Sequence, residues 1–350
     1  MRLIQNEFQK LFLKKSSWSM QIILVVLIFL MTMLMFTISR TDGVEEKLQP
    51  QGITSYYNAD GQPISEDDYW NAQNENKATG YTEKVLSPKD SVAALKVSKE
   101  AAPKEDQENI QKQIDYYQVY ADEGKIPMSS VSSMTGAEFF ASLGTMNMIA
   151  SILVAVIASM IVASEFSGGT IKLLLARPYS RSQILASKLA VVILYAVITS
   201  IVLFISAFLF SFILPSGAYL MPVSPDSGAL NALQSALLLL GSNFIMMIVY
   251  ASIAFLFSAV VRSQALAVGV SLGVLFSGSI LSALLPIAIE KYDWLKWLIF
   301  NLLNLNSAVT GNPIAGDLAI WQIISGLAVY VLIFLGISFY FFRKRDVALS

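Results

Sequence analysis

Six stretches of this chain are long and apolar enough to cross a bilayer, and none holds an Asp, Glu, Lys or Arg in its interior. They cover residues 19–39, 139–163, 189–214, 235–261, 265–289 and 320–342. A helix needs roughly 20 apolar residues to span the hydrocarbon core. The pattern therefore predicts an all-α polytopic membrane protein with six transmembrane helices. Only 14% of the 350 residues are charged, against about a quarter in a soluble domain. The first run has a basic start, but it is too long for a signal-peptide core and no small-x-small cleavage site follows it. It reads as an uncleaved anchor.

The cations orient the spans. Residues 1–18 carry Arg2, Lys10, Lys14 and Lys15, and loop 164–188 carries Lys172, Arg177, Arg181 and Lys188. Arg262 sits between the fourth and fifth runs, and Arg343, Lys344 and Arg345 open the tail 343–350. If the spans alternate, all four clusters fall on one side, and the positive-inside rule makes both termini cytoplasmic. Segment 40–138 and loops 215–234 and 290–319 then lie outside.

From residue 42 to 138 the chain holds 18 acids and 9 lysines, enough length for a small α or α+β extracellular domain. Ser87, Pro88 and Asp90 have the N-cap, N1 and N3 chemistry of a helix start. Pro103, Glu105, Asp106 and Glu108 open a second helix, with Ile110, Ile114, Tyr117 and Val119 near one face. Residues 54–72 read as turns or short strands. The acidity suits a solvated surface, or capture of a cationic molecule such as a basic peptide. Its spacing fits no calcium loop.

Ile4, Phe8, Leu11 and Phe12 recur at helical spacing among the N-terminal cations, as in a helix lying in the membrane interface or in the basic flank of an anchor. In the fifth span Ala265, Gly269, Gly273 and Ser277 repeat every four residues, which lets helix backbones approach closely. That stripe predicts a tight contact, within the subunit first or else across a dimer axis. Trp294 and Trp297 fit headgroup depth, and Asp317 reads as a cap before the sixth helix.

The chain has no cysteine and no histidine. That removes thiol chemistry, the commonest zinc ligands and the Ser-His and Cys-His hydrolase arrangements. A coupling-ion path built on charged side chains is unlike these spans, whose polar residues are groups such as Asn147 and Asn243. There is also no G-x-x-x-x-G-K-[ST] phosphate loop. The chain reads as a non-enzyme, and any uphill transport must draw its energy from another polypeptide.

The loop at 164–188 is the natural place for such a partner. Ser164 or Ser167 can cap a short helix, Gly168-Gly169 permits a turn, and Thr170 to Ala176 is helical in pattern, with Ile171, Leu174 and Leu175 on one face. Pro178 stops that helix, and Ser180-Arg-Ser-Gln183 is a capping box opening the next one. The run Glu165-Phe166-Ser-Gly-Gly169-Thr170, followed by Leu174, Leu175, Pro178 and Arg181, resembles the coupling loop of ABC-2 type transporter permeases. The layout is also similar: an interfacial N-terminal helix, six spans, and a polar segment before the last. The large segment between the first two spans looks like the sodium- and drug-export branch and the bacterial relatives of lipid-exporting ABCA proteins.

The resemblance implies two copies of a separate ATP-binding subunit, with ATP and Mg held there and no cofactor on this chain. It implies a second permease copy or a related permease, a multi-pass place in a bacterial plasma membrane, and no nucleic acid. Glu165 and Arg181 would shape the loop or pair with the ATPase, Gly169 and Thr170 would make the turn, and Leu174 and Leu175 would pack into the ATPase groove. A membrane sensor with an acidic ligand-binding domain is the competing class.

Overall fold

A computed structural model describes residues 2–41, 48–75, 79–104, 106–130, 134–170, 179–215, 217–261, 263–312 and 314–344. The chain opens with α1 (Arg2–Leu13) and α2 (Lys15–Thr41), then β1 (Gln49–Pro50), β2 (Thr54–Tyr57), β3 (Pro63–Ile64), α3 (Glu66–Asn74) and β4 (Thr82–Val85). Next come α4 (Pro88–Ala101), α5 (Gln107–Glu123), β5 (Met128–Ser129), α6 (Gly136–Ala141), α7 (Asn147–Ser167) and α8 (Arg181–Ser211). The rest is α9 (Ala232–Val260), α10 (Gln264–Ile289), α11 (Ile299–Leu302), α12 (Leu305–Val309) and α13 (Ile320–Lys344).

Six helices among the described residues are long and apolar enough to cross a membrane: α2, α7, α8, α9, α10 and α13. The second differs most from its expected limits. Helix does not run on from 139, because Leu143, Gly144 and Thr145 all take positive φ, at 52°, 63° and 58°. Three consecutive left-handed residues break an α-helix, so α7 starts at Asn147. It also runs on through Ser167.

The chain forms two compact units. The first comprises Met1–Met31, Ser142–Phe210 and Ala236–Ser350. Here α2 turns Ser17, Gln21, Leu24 and Ile28 inward and leaves Ile22, Ile23, Val26, Phe29 and Leu30 exposed. A soluble helix would not leave so many large apolar side chains outward; beside lipid they lose nothing, and an inward polar group can find a partner on a neighbouring helix. Gln21 Nε2 accordingly donates to Thr199 Oγ1 of α8 at 2.8 Å. A separate core joins Met246, Val249 and Ile253 of α9 to Leu302, Leu305, Ile314, Ile323 and Leu327.

Helix α10 packs on α7 and buries Ala267, Ser271 and Leu275. The stripe Ala265, Gly269, Gly273 and Ser277 points the other way and is exposed. A Cβ built on Gly269 or Gly273 meets nothing within 4 Å, so the expected contact inside the subunit does not form there. The sixth span is also capped differently from the expectation. Asp317 has φ 48°, and the Gln322 side chain caps α13 by accepting from the Ala319 N–H at 2.9 Å.

The second unit comprises Thr32–Ala141 and Ser211–Ser235. It is α+β. Strands β3, β2 and β4 form an antiparallel sheet in that order, and β1 pairs with β5. Ser87 caps α4 as expected, accepting from the Asp90 N–H, with Pro88 in the first turn. Residues 66–72, expected as turns or short strands, instead lie in helix α3, capped by Ser65. The core packs Val92 and Leu95 of α4 against Ile114, Tyr116, Tyr117 and Tyr120 of α5, with Met221 from the distant 211–235 segment. The Tyr120 hydroxyl donates to the Pro222 carbonyl at 2.8 Å, anchoring that segment to α5.

Candidate functional site

The face of α1 that the first unit buries is Leu3, Glu7 and Leu11, spaced four residues apart, while Ile4 is exposed. Phe8 and Phe12 are half-buried, their rings 4.2 Å apart. Phe12 also meets Trp18 edge-on at 5.6 Å, and Trp18 Nε1 donates to the Phe12 carbonyl. The N-terminal helix is therefore docked by its aromatic residues, with a carboxylate at the centre of its buried face.

That carboxylate meets Lys188 on α8. Lys188 is only 1% exposed and Glu7 4%. The Lys188 Nζ lies 2.8 Å from Glu7 Oε2 and 3.2 Å from Glu165 Oε1 at the end of α7. Lys10 closes the group from the exposed side, 3.4 Å from Glu165 and 3.6 Å from Glu7. Thr170 Oγ1 donates to the second oxygen of Glu165. Two carboxylates thus face two ammonium groups, and the cluster is neutral.

Burying charges costs several kcal/mol per ion, recovered only with good geometry and satisfied hydrogen bonds; removing one partner typically costs about 3–5 kcal/mol. Here α1, the exit from α7 and the start of α8 are held together, so the loop at 164–188 has both ends fixed to the same point. A small cavity of about 40 Å³ beside Glu7, Lys10, Glu165 and Lys188 leaves room for water.

The loop's flanks have defined chemistry. Gly169 adopts φ 68° and makes the turn. Helix α7 includes Ser164 and Glu165 and continues to Ser167, so Ser164 lies inside this helix and its carbonyl accepts from the Gly168 N–H. Phe166 is half-buried. The capping box opening α8 forms in both directions, Ser180 N–H to Gln183 Oε1 at 2.9 Å and Gln183 N–H to Ser180 Oγ at 3.3 Å. Arg181 donates to the Arg343 carbonyl at 3.1 Å, bringing in the end of α13. Leu174, Leu175 and Pro178 lie outside the described residues.

Glu165, Thr170 and Arg181 are therefore all near this junction, and all three are engaged within the chain. Sequence reasoning missed Glu7 and used Lys188 only as a topological cation. The available signal was a lone acid on the Leu3–Leu11 face of a basic helix, and a lysine at the edge of an uncharged span. A second buried polar group, Ser151, Ser242, Asn243 and Asn306, links α7, α9 and α12 by side-chain hydrogen bonds of 2.8–3.4 Å.

Among the described residues, six apolar helices, with buried charges confined to a neutral cluster at their ends, define a multi-pass α-helical membrane protein. Comparison with known proteins gives the family: residues 107–348 match the family described as protein of unknown function (DUF2705), and the chain belongs to it. The uncharacterized protein YhcI of Bacillus subtilis (strain 168) is 34% identical over 200 residues, 55% of this chain and 63% of that protein, so the match spans under two thirds of the relative. The uncharacterized membrane protein YdbK of the same organism is 29% identical over 222 residues, 62% of this chain and 87% of that protein.

Proposed function

We propose that this chain is the membrane-spanning permease subunit of an ATP-driven ABC exporter in a bacterial plasma membrane. In this reading both termini are cytoplasmic and the second unit is extracellular. The spans move an apolar or amphipathic cargo outward, in a dimer with a second copy or a related permease. A separate ATP-binding subunit docks on the loop at 164–188. The observation that carries the reading is the buried Glu7–Lys188–Glu165 cluster. It makes the loop's two ends and the N-terminal helix one rigid junction, so a push on the loop is passed to α1, α7 and α8 together. Two further features support the assigned sidedness. The N-terminus, the loop and the end of α13 meet in one unit, and the segments after the first and third spans share the other.

The test is co-purification in mild detergent of the tagged full-length chain, with mass spectrometry of its partners. Glu165 and Arg181 are poor sites for the disrupting change, because both have partners inside the chain. Leu174→Asp with Leu175→Asp instead changes the two leucines that this reading packs into the ATPase groove. Recovery of a phosphate-loop ATPase with the native chain, lost with the double variant, supports the exporter. No ATPase in either sample overturns it and favours a membrane sensor, a class the acidic second unit also suits.

A further inference from the structure

The second unit holds a cavity of about 500 Å³, within the usual 300–1,000 Å³ of small-molecule sites. One wall is aromatic, Tyr116 and Tyr120 of α5, and Met221 adds an apolar patch. Ile126, half exposed, lines the cavity after the end of α5. On α6, Glu138 also lines it. One oxygen of Glu138 accepts from the Thr135 N–H at 2.7 Å and from Thr135 Oγ1 at 3.0 Å. The other takes no partner, and Glu138 forms no ion pair among the described residues.

Among the described residues the one basic side chain lining the cavity is Lys125, already 3.2 Å from Glu123. Burial, with the Glu138 charge adding to it, raises the phenol pKa of Tyr116 and of Tyr120, so both rings stay neutral. Over residues 32–141 and 211–235 acids outnumber bases 19 to 10. A free carboxylate beside neutral aromatic rings, in an acidic surround, is chemistry for a cation: the carboxylate takes the charge and the ring faces add cation–π attraction. Among the described residues an anion finds no unpaired base there, and a neutral ligand leaves the Glu138 charge uncompensated.

We propose that this cavity binds an organic cation with an apolar body. Ammonium, phosphonium and guanidinium heads all meet the requirement, on a small amphiphile or on a basic amphipathic peptide. The inference rests on the exporter reading only for calling that cation cargo; binding itself needs no ATPase, so the two can fail separately.

The experiment is equilibrium dialysis of radiolabelled tetraphenylphosphonium against the full-length chain in zwitterionic nanodiscs. Saturable binding is expected, weakened about tenfold or more in Glu138→Gln, the scale of one charged contact. Ile126→Arg, which adds a cation at the cavity lining and leaves the Thr135 cap intact, should weaken it similarly. Asp60→Asn, an exposed acid elsewhere in the unit, should not. Displacement by a Lys-rich amphipathic peptide identifies a peptide ligand, and displacement by small quaternary ammonium ions alone identifies a small one. Binding unchanged in both Glu138→Gln and Ile126→Arg, or equal competition by neutral tetraphenylmethane, overturns the proposal.

Discussion

The two units handle partly or fully buried carboxylates in opposite ways. In the first, Glu7 and Glu165 are closed against two lysines around a space of about 40 Å³. In the second, Glu138 faces a cavity of about 500 Å³, and among the described residues its carboxylate is hydrogen-bonded to Thr135 alone. A carboxylate whose field is cancelled within the fold holds elements together. One whose field is left uncancelled in an accessible cavity is available to a ligand. The same residue type is a clamp in one place and a receptor in the other, and the partner groups make the difference.

The sharpest way to break the comparison is Lys188→Met, which leaves two carboxylates facing each other with only the more exposed Lys10 beside them. A loss of about 3–5 kcal/mol is expected, read as a lower thermal midpoint in detergent. Adding Glu7→Met and Glu165→Met should recover most of it, since replacing a whole buried ion group by apolar residues of similar volume is often near neutral. A single variant as stable as the native chain would mean the cluster is no clamp.

In the second unit, Tyr120→Phe removes the hydrogen bond to the Pro222 carbonyl, with an expected cost of about 1–3 kcal/mol for a buried acceptor left unpaired. Faster proteolysis within 211–235 would report it. Ser180→Ala opens one arm of the α8 capping box, at about 1 kcal/mol, visible as faster hydrogen exchange in the first turn of α8 alone. The smallest effect is expected from Gly273→Ala. The added Cβ meets no neighbour in this chain, and alanine is the better helix former, so stability of the isolated chain should hold or rise by up to about 1 kcal/mol. A marked loss would reveal a close contact at that face.

Much of this was legible because it is local. Uncharged runs mark the six helices, and Ser87-Pro88-x-Asp90 and Ser180-x-x-Gln183 carry their caps within four residues. Other features were misread for equally local reasons. The apolar stretch from residue 139 conceals the left-handed turn at Leu143–Thr145, and hydropathy carries no record of φ. Glu7 drew no reading because it is a lone acid among cations, whereas the face of α1 that the fold buries is built around it.

By itself the sequence determined the class of this protein: how many helices suit a membrane, which segments are too polar for one, and which chemistries lack their residues. Those are properties of windows shorter than one helix. The tertiary structure decided which charges meet. Lys188 finds Glu7 across 181 positions, and the Glu138 cavity is closed by residues 217–223. The small-residue stripe of α10 likewise lies outward, while Ala267, Ser271 and Leu275 are the residues this helix buries. Coulomb attraction and van der Waals packing act through space over a few ångströms, and no spacing along the chain encodes a distance that short between residues that far apart.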